Sequence, residues 1–127
     1  MAKGIFKLSG IDEYMEQIQQ AGFDILEAAE EAVEAGAEVA LDGMLRRVPE
    51  DTGNLKSHLD YEITVDGDRI TAEIGVMNAD AETARYGNVQ EFGSATTPEH
   101  SYVRSTMDED KRKIRKAMRD KLKGFVK

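Results

Sequence analysis

Helical periodicity dominates the first 48 residues of the chain. Apolar side chains recur every three or four positions in Ile11–Gln20, which predicts a short amphipathic helix. A longer apolar stripe in Phe23–Val48 predicts the main helix of the fold, about 39 Å long if unbroken. Pro49 ends this helix, because a residue that precedes proline is driven out of the α region. The long stripe consists of Leu26, Ala29, Val33, Ala37, Ala40 and Met44.

Strand periodicity follows the proline. Apolar and polar residues alternate in Leu59–Val65 and again in Ile70–Val76. The segment between them contains Asp66-Gly67, and an Asp-Gly pair between alternating runs predicts a β-hairpin. One face of the hairpin is apolar, so we expect that face to lie on a helix and the other to face water. Because a lone hairpin is marginally stable, a third strand or the long helix must cover it.

The C-terminal half is less regular. Met77–Ala84 and Ser94–Ser101 are predicted loops, and Arg85–Gly93 fits either a short helix or a strand. Asp108–Phe125 is a predicted amphipathic helix, with the acidic residues Asp108–Asp110 in its first turn, where the helix dipole favours negative charge. The pattern as a whole predicts an α+β fold, in which a long N-terminal helix and a C-terminal helix pack on a small antiparallel β-sheet that contains the hairpin.

Length and composition narrow the class of protein. The 127 residues fit one domain that spans positions 1–127. There is no cysteine, which excludes disulfides and thiolate zinc sites. Residues Met1–Lys7 lack the apolar core of a signal peptide, and no apolar run approaches the ~20 residues of a membrane span. We therefore predict a soluble protein that is made in the cytoplasm, with no membrane partner.

Charge is unevenly distributed. The net charge is −8, yet Asp108–Lys127 carries nine Lys or Arg against four Asp or Glu, a local +5 that leaves −13 for Met1–Met107. An acidic body argues against bulk affinity for nucleic acid. The basic residues of the terminal helix are interpreted either as the polar face of a packed amphipathic helix or as a contact with acidic neighbours or DNA. They are Lys111, Arg112, Lys113, Arg115, Lys116, Arg119, Lys121 and Lys123.

The long helix carries an acidic stripe beside its apolar one. Like charges at this spacing repel, so the stripe is either a solvated face or an acidic wall toward a basic partner or a DNA channel. It consists of Asp24, Glu27, Glu31, Glu34, Glu38 and Asp42. Small residues on another side of the helix would permit close approach of a second backbone, although Gly36 and Gly43 lower helix propensity. These are Ala28, Ala29, Ala32, Gly36, Ala37, Ala40 and Gly43.

Catalytic and cofactor motifs are absent from the sequence. His58 and His100 are the only histidines, and neither belongs to a metal-binding spacing such as HExxH. No nucleophile elbow and no phosphate-binding glycine loop occur. We therefore predict no cofactor, no metal site and no enzymatic activity.

Two short stretches carry a family resemblance. The first is Pro49-Glu50-Asp51-Thr52-Gly53-Asn54-Leu55-Lys56-Ser57, and the second is Tyr86-Gly87-Asn88-Val89-Gln90-Glu91-Phe92-Gly93-Ser94, followed by Tyr102-Val103-Arg104. Together they resemble the head-tail joining and tail-completion family of long-tailed double-stranded DNA phages, which carries P-x-D-T-G-x-L-(K/R) after a long helix and later Y-x-x-x-x-E-F-G-(S/T). The family then shows P-F-(L/V/M)-R-P-A, whereas here Ser101 and Ser105 replace both prolines.

The motif residues also have physical interpretations of their own. Asp51 can accept backbone N–H bonds in a turn, Gly53 can adopt positive φ, and Leu55 can fasten the sheet to the helix. Tyr86 and Phe92 are predicted core residues, while Glu91 and Arg104 can form an ion pair within or between subunits. The structural and assembly residues predicted on this basis are Pro49, Asp51, Thr52, Gly53, Leu55, Lys56, Ser57, Tyr86, Glu91, Phe92, Gly93, Tyr102 and Arg104.

The resemblance implies a structural virion protein at the neck, joining the head connector to the tail as a ring of identical copies. It implies portal or connector proteins and tail-tube or tail-terminator proteins as partners, passing contact with DNA, and six-fold symmetry in preference to twelve-fold. A cyclic ring needs two different patches on each copy. The predicted patches are the acidic residues Glu27, Glu31, Glu34 and Glu38 and the basic residues Lys111, Arg112, Arg115 and Arg119. The alternatives are a tail terminator, a portal-side stopper and a DNA-contacting adaptor.

Overall fold

The computed structural model describes residues 3–7, 12–22, 24–49, 54–67 and 69–125. Within these ranges the fold is α+β, as predicted, and combines helices with a small three-stranded antiparallel sheet. In chain order the elements are β1 (Lys3–Lys7), α1 (Asp12–Gln20), α2 (Ile25–Arg47), α3 (Asn54–Ser57), β2 (Leu59–Asp66), β3 (Arg69–Val76), α4 (Ala81–Phe92), α5 (Val103–Glu109) and α6 (Lys111–Lys123).

Helix α2 has a defined beginning and end. The carboxylate of Asp24 accepts hydrogen bonds from the N–H groups of Leu26 and Glu27, which would otherwise lack a partner in the first turn. At the other end Val48 is extended, with φ −66° and ψ 139°, as a residue before proline must be. The long helix predicted from the apolar stripe is thus confirmed, and Asp24 and Pro49 set its limits.

The sheet has the strand order β1-β3-β2 with both pairs antiparallel. In the predicted hairpin, Leu59 pairs with Val76 and Tyr61 with Ile74, which places the apolar residues of both strands on one face. Gly67 has φ 63°, a conformation that glycine adopts without steric cost at the hairpin turn. Strand β1 was not predicted, because its five residues show no clear alternation; it supplies the third strand that a stable hairpin needs.

Helix α2 lies at the centre of the molecule. The apolar face of the sheet packs on one side of it, and α6 packs along another side. The small residues of α2 allow this: Ala28, Ala32, Ala37 and Ala40 are fully buried. From α6, Ile114, Met118 and Leu122 complete the core. The burial of α2 on two sides explains why its apolar stripe is broader than that of an ordinary surface helix.

The C-terminal half departs from the prediction in two places. Residues 81–84 belong to α4 rather than to a loop, and α4 resolves the open choice for 85–93 in favour of a helix. The predicted Asp108–Phe125 helix is two helices that meet at Asp110. Asp108 and Glu109 therefore end α5 and do not occupy a first turn, so the interpretation of these acids as dipole partners of the terminal helix is wrong.

Candidate assembly surfaces

The two sequence motifs meet in space at Gly87. Leu55, from the first motif, is fully buried in α3, and Gly87 lies in α4 within the second. A Cβ atom on Gly87 would lie 2.9 Å from Leu55 Cδ1, 3.1 Å from Tyr102 Oη and 3.2 Å from Val76 Cγ2. The absence of a side chain at Gly87 is what allows α3, the sheet and the start of α5 to pack against α4 together.

Glu91 connects the second motif to helix α5. Its side chain is fully buried, and its carboxylate accepts hydrogen bonds from the N–H groups of Tyr102, Val103 and Arg104 at 2.8–2.9 Å. These are donors at a helix N-terminus, which have no partner within their own helix and favour a negative charge. Ser101 Oγ donates a further bond to the same carboxylate at 3.1 Å. Glu91 of one helix therefore caps the next.

The hydrogen bonds keep Glu91 ionised in spite of its burial. Burial alone would raise the pKa of this carboxyl group, but the bonds from the N–H groups of Val103 and Arg104 and from the Arg104 side chain outweigh it, so the pKa of Glu91 lies below its ordinary value. Burial, with a smaller contribution from Glu91, raises the pKa of Tyr102 to about 12. The Tyr102 hydroxyl therefore stays protonated and donates to the carbonyl oxygen of Gly87 at 3.2 Å.

The predicted ion pair between Glu91 and Arg104 forms within the chain. Arg104 Nε lies 2.9 Å from Glu91 Oε2, and Arg104 Nη2 donates to the Glu91 carbonyl oxygen and to Glu99 Oε2. The guanidinium carbon lies 4.8 Å from the centre of the Phe92 ring, a distance typical of a cation–π contact. This arrangement fastens the start of α5 to the end of α4.

Phe92 is not a core residue, contrary to the prediction. Its side chain is 56 % exposed, because α4 turns its buried side toward Gly87 and Glu91 and leaves position 92 facing outward beneath Arg104. Tyr86 is half-buried and packs against the core. Gly93 has φ 79° and ends α4, and a side chain there would approach the backbone of Thr97 and Glu99 at 3.1 Å.

Ser101 and Ser105 stand where the resembling family shows prolines, and they bond to each other. The Ser105 N–H donates to Ser101 Oγ at 3.2 Å in the first turn of α5. A proline at position 105 would lack this N–H, and a proline at position 101 would lack the hydroxyl acceptor. The two departures from the family pattern therefore compensate for each other, and α5 begins regularly without either proline.

The remaining first-motif residues form the connection between α2 and β2. Pro49 follows Val48, the residue that caps the C-terminus of α2. Lys56 is half-buried in α3, and Ser57 Oγ donates to the Asn54 carbonyl oxygen at 2.8 Å. Asn54 Nδ2 in turn donates to Thr83 Oγ1 of α4 at 3.1 Å. The proposed turn roles of Asp51 and Gly53 fall outside the described residues, as does Thr52.

A second buried charge cluster, which the sequence analysis missed, joins the end of α2 to the junction of α5 and α6. Asp110 is 2 % exposed and accepts from both terminal nitrogens of Arg47, at 2.7 and 3.1 Å, and from Arg46 Nη2 at 3.1 Å. Glu109 binds Arg47 Nη2 at 3.0 Å. The hydrogen bond from Arg47 outweighs burial and lowers the pKa of Asp110. The paired Arg46-Arg47 before Pro49 was the signal available in the sequence.

The acidic stripe of α2 is exposed between the sheet and α6. Glu27, Glu34 and Glu38 are exposed and Glu31 is half-buried. Glu34 accepts a hydrogen bond from the Tyr61 hydroxyl at 3.2 Å, and a groove of about 240 Å³ lies between Glu31, Glu34, Glu38 and Lys121 of α6. Within the described part of the chain, none of the four glutamates has an ion-pair partner within 4.0 Å.

The basic residues of α6 are turned outward. Lys111, Arg112, Arg115 and Arg119 are all exposed. The buried stripe of Ile114, Met118 and Leu122 faces α2, and helical geometry places Arg112 and Arg119 on the far side of α6. Among the ranges described, no carboxylate lies within ion-pairing distance of the four predicted basic patch residues. The structure therefore presents the two predicted patches on different sides of the molecule, and neither makes an ion pair within 4.0 Å among the described residues, although Lys121 lines the groove beside three of the glutamates.

Among residues 3–7, 12–22, 24–49, 54–67 and 69–125, no group of three or more His, Asp or Glu side chains is arranged to hold a metal ion. His58 Nδ1 lies 3.2 Å from the Met77 carbonyl oxygen, at the start of the hairpin. None of the described helices is both long enough and apolar enough to cross a membrane.

Comparison with known proteins adds one match. The model of the HK97-gp10-like family, described as "Bacteriophage HK97-gp10, putative tail-component", matches residues 10–93. The match spans α1 to α4 and includes both motifs through Gly93, whereas Tyr102 and Arg104 lie beyond it. No curated protein and no solved structure gave a significant match.

Proposed function

Because the chain belongs to the HK97-gp10-like family of bacteriophage tail components, we propose that it is a structural subunit of the phage neck that joins the head connector to the tail. In this proposal identical copies assemble into a closed ring, six-fold in preference to twelve-fold, between portal or connector proteins and tail-tube or tail-terminator proteins. Membership in a tail-component family supports a place in the virion and a structural role.

The observation that carries the ring proposal is the separation of two unpaired charged faces. The patch glutamates of α2 and the patch arginines of α6 lie on different sides of the chain, and among its described residues none of them has an ion-pair partner within 4.0 Å. A subunit in a cyclic ring uses two different patches, one for each neighbour. Opposite charge makes the acidic patch of one copy attract the basic patch of the next, while two like patches repel each other. Each contact therefore joins one patch of each kind.

We also propose that the protein works without catalysis. The two buried carboxylates, Glu91 and Asp110, are the groups that an active site would use first. Both accept several hydrogen bonds from backbone N–H groups or arginines, and both have lowered pKa values. An ionised carboxylate with all its neighbours already donating to it holds helices together and has little capacity to exchange protons with a substrate.

Light scattering tests the proposal. The mass of the purified protein would be measured alone and then with the connector and tail-tube proteins of its virion, at low and at high salt. A ring-sized mass, alone or with these partners, is expected. Its loss at high salt is also expected, since the Debye length falls to about 3 Å at 1 M ionic strength and the attraction between exposed charges weakens accordingly. A protein that remains monomeric with every partner would contradict the proposal.

The same experiment separates the alternatives. A tail terminator would bind the tail tube and not the connector, and a portal-side stopper would show the reverse preference. The exposed arginines of α6 are the observation that favours a DNA-contacting adaptor. That function predicts binding to duplex DNA that weakens steeply with salt, in a protein that forms no ring.

A further inference from the structure

Two helices of the chain each present a line of four like charges to solvent. The line on α2, here called the acidic ridge, consists of Glu27, Glu31, Glu34 and Glu38. The line on α6, here called the basic ridge, consists of Arg112, Lys116, Arg119 and Lys123. In both ridges successive charges are four, three and four residues apart. At 3.6 residues per turn this spacing keeps the four side chains in one line about 16 Å long.

The two ridges cannot meet within one copy. Helix α6 turns Ile114, Met118 and Leu122 toward α2, and the basic ridge lies on the opposite side of α6. All four basic side chains are exposed. Among the described residues, the ridges make one ion pair, from Lys116 to Asp120 one turn further on, and one hydrogen bond, from the Tyr61 hydroxyl to Glu34. Both ridges are therefore available to another molecule.

The direction of the helices limits how two copies can meet. Arg47 at the end of α2 binds Asp110 at the start of α6, so the two helices run antiparallel. Rotation about a ring axis preserves the direction of a helix along that axis. When these helices run along the axis, α2 of one copy and α6 of the next are antiparallel too. The matched spacing then opposes Glu38 to Arg112, Glu34 to Lys116, Glu31 to Arg119 and Glu27 to Lys123.

We infer that the repeated interface of the ring is formed by the acidic ridge of one copy lying antiparallel along the basic ridge of its neighbour. This inference rests on the proposed function and specifies the surfaces that ring assembly uses. A second copy is the partner that fits, because it supplies the complementary charge at the same spacing. The chain's net charge of −8 opposes an extended contact with DNA.

Charge reversal on each ridge provides the first test. One variant carries Glu31→Lys with Glu38→Lys, and the other carries Arg112→Glu with Arg119→Glu, so each reverses one member of two opposed pairs. Each variant alone would then bring like charges together at every interface, and half-assembly should need a concentration about tenfold higher or more. In a 1:1 mixture every contact between unlike variants regains opposite charges, so assembly should be restored in any ring with an even number of copies.

A matched control distinguishes an effect of the ridges on assembly from an effect of the net charge. Glu62→Lys with Asp108→Lys changes the charge by the same amount as the acidic-ridge variant, at exposed positions on the outer sheet face and at the end of α5. This control should assemble as the unaltered protein does. Circular dichroism and thermal unfolding of every variant would identify any loss of assembly that comes from loss of the fold.

Cross-linking tests the antiparallel register. The chain has no cysteine, so introduced pairs are the only thiols. Glu34→Cys with Lys116→Cys should give a ladder of products with a short bis-maleimide, and the largest product would count the copies in the ring. Glu27→Cys with Arg112→Cys would lie at opposite ends of the ridges, about 16 Å apart along the helix, and should give no ladder.

The outcomes distinguish this inference from the proposed function. If the unaltered protein assembles and both reversal variants assemble at the same concentration, the ridge interface is wrong and the ring stands. If the second cysteine pair cross-links and the first does not, the antiparallel register is overturned. If the unaltered protein stays monomeric with its connector and tail partners, the proposed function fails before any variant is compared.

Discussion

Three hydrogen bonds join Glu91 and Arg104: Arg104 donates from its backbone N–H and from its side-chain Nε to the same carboxylate oxygen, at 2.9 Å in each case, and from Nη2 to the Glu91 carbonyl oxygen. Glu91 lies in the last turn of α4, and Arg104 lies in the first turn of α5. The pair therefore fixes the direction in which the chain leaves α4 and enters α5. Since α5 leads into α6, the pair also contributes to placing the exposed bases of α6 on the outside of the molecule.

Replacement of Glu91 should destabilise the fold. In Glu91→Ala the N–H groups of Tyr102, Val103 and Arg104 lose their acceptor in a buried place, and we expect a loss of about 2–4 kcal/mol in the free energy of unfolding. Glu91→Gln keeps one acceptor oxygen without the charge and should lose about half as much. Urea unfolding followed by circular dichroism measures both values. Equal stability of Glu91→Ala and the unaltered protein would contradict the capping role.

Stability should fall in acid because of Glu91 and Asp110. Both groups have lowered pKa values in the folded state, so unfolding favours proton uptake by each of them. Their contribution to the free energy of unfolding is complete above their pKa values in the unfolded state, which are about 4. It is lost as the pH falls through their lower pKa values in the folded state. The urea midpoint should therefore decline below about pH 5. In Glu91→Gln the decline should be shallower, and an identical slope in the variant would contradict the assignment.

The contact between the two motifs can be measured as a coupling. Gly87→Ala places a methyl group 2.9 Å from Leu55 Cδ1, and such overpacking should cost about 1–3 kcal/mol. Leu55→Ala should cost about 2–5 kcal/mol, because its side chain is fully buried. In the double variant the added methyl gains the space that Leu55 leaves, so the combined loss should be smaller than the sum. If the losses in the free energy of unfolding, measured by chemical denaturation, are strictly additive, the two positions are independent.

The junction between α2 and α6 depends on Arg47 and Asp110. Asp110→Ala leaves the largely buried Arg47 without its strongest partner, and we expect a loss of about 1–3 kcal/mol in unfolding free energy. Asp42→Ala is the matched control, since Asp42 pairs with Arg46 on the exposed surface and its removal should cost under about 1 kcal/mol. A larger effect at Asp42 than at Asp110 would show that burial does not strengthen the pair at the junction.

The sequence by itself determined the long helix, the hairpin and the amphipathic character of the terminal helix. These elements depend on neighbours within a few positions: Asp24 and Pro49 limit α2, Asp-Gly closes the hairpin, and a period of two or of 3.6 residues selects strand or helix. It also determined the family resemblance, which the HK97-gp10-like match to residues 10–93 confirms. The placement of charged residues on separate helices was visible in the same way.

Only the tertiary structure decided which polar groups are buried and what they bind. Glu91 and Phe92 are adjacent in the sequence, yet the carboxylate is fully buried and the aromatic ring is half exposed. The reason is that three N–H groups at the start of α5 have no acceptor within their own helix. The carboxylate of Glu91, in α4, is the acceptor that they bind. Asp110 likewise divides a helix that its local sequence would continue, while it accepts hydrogen bonds from two arginines more than sixty positions earlier in the chain. The sequence predicted the pairing of Glu91 with Arg104, but the burial of Glu91 and the bonds it accepts from backbone N–H groups appear only once the helices are packed.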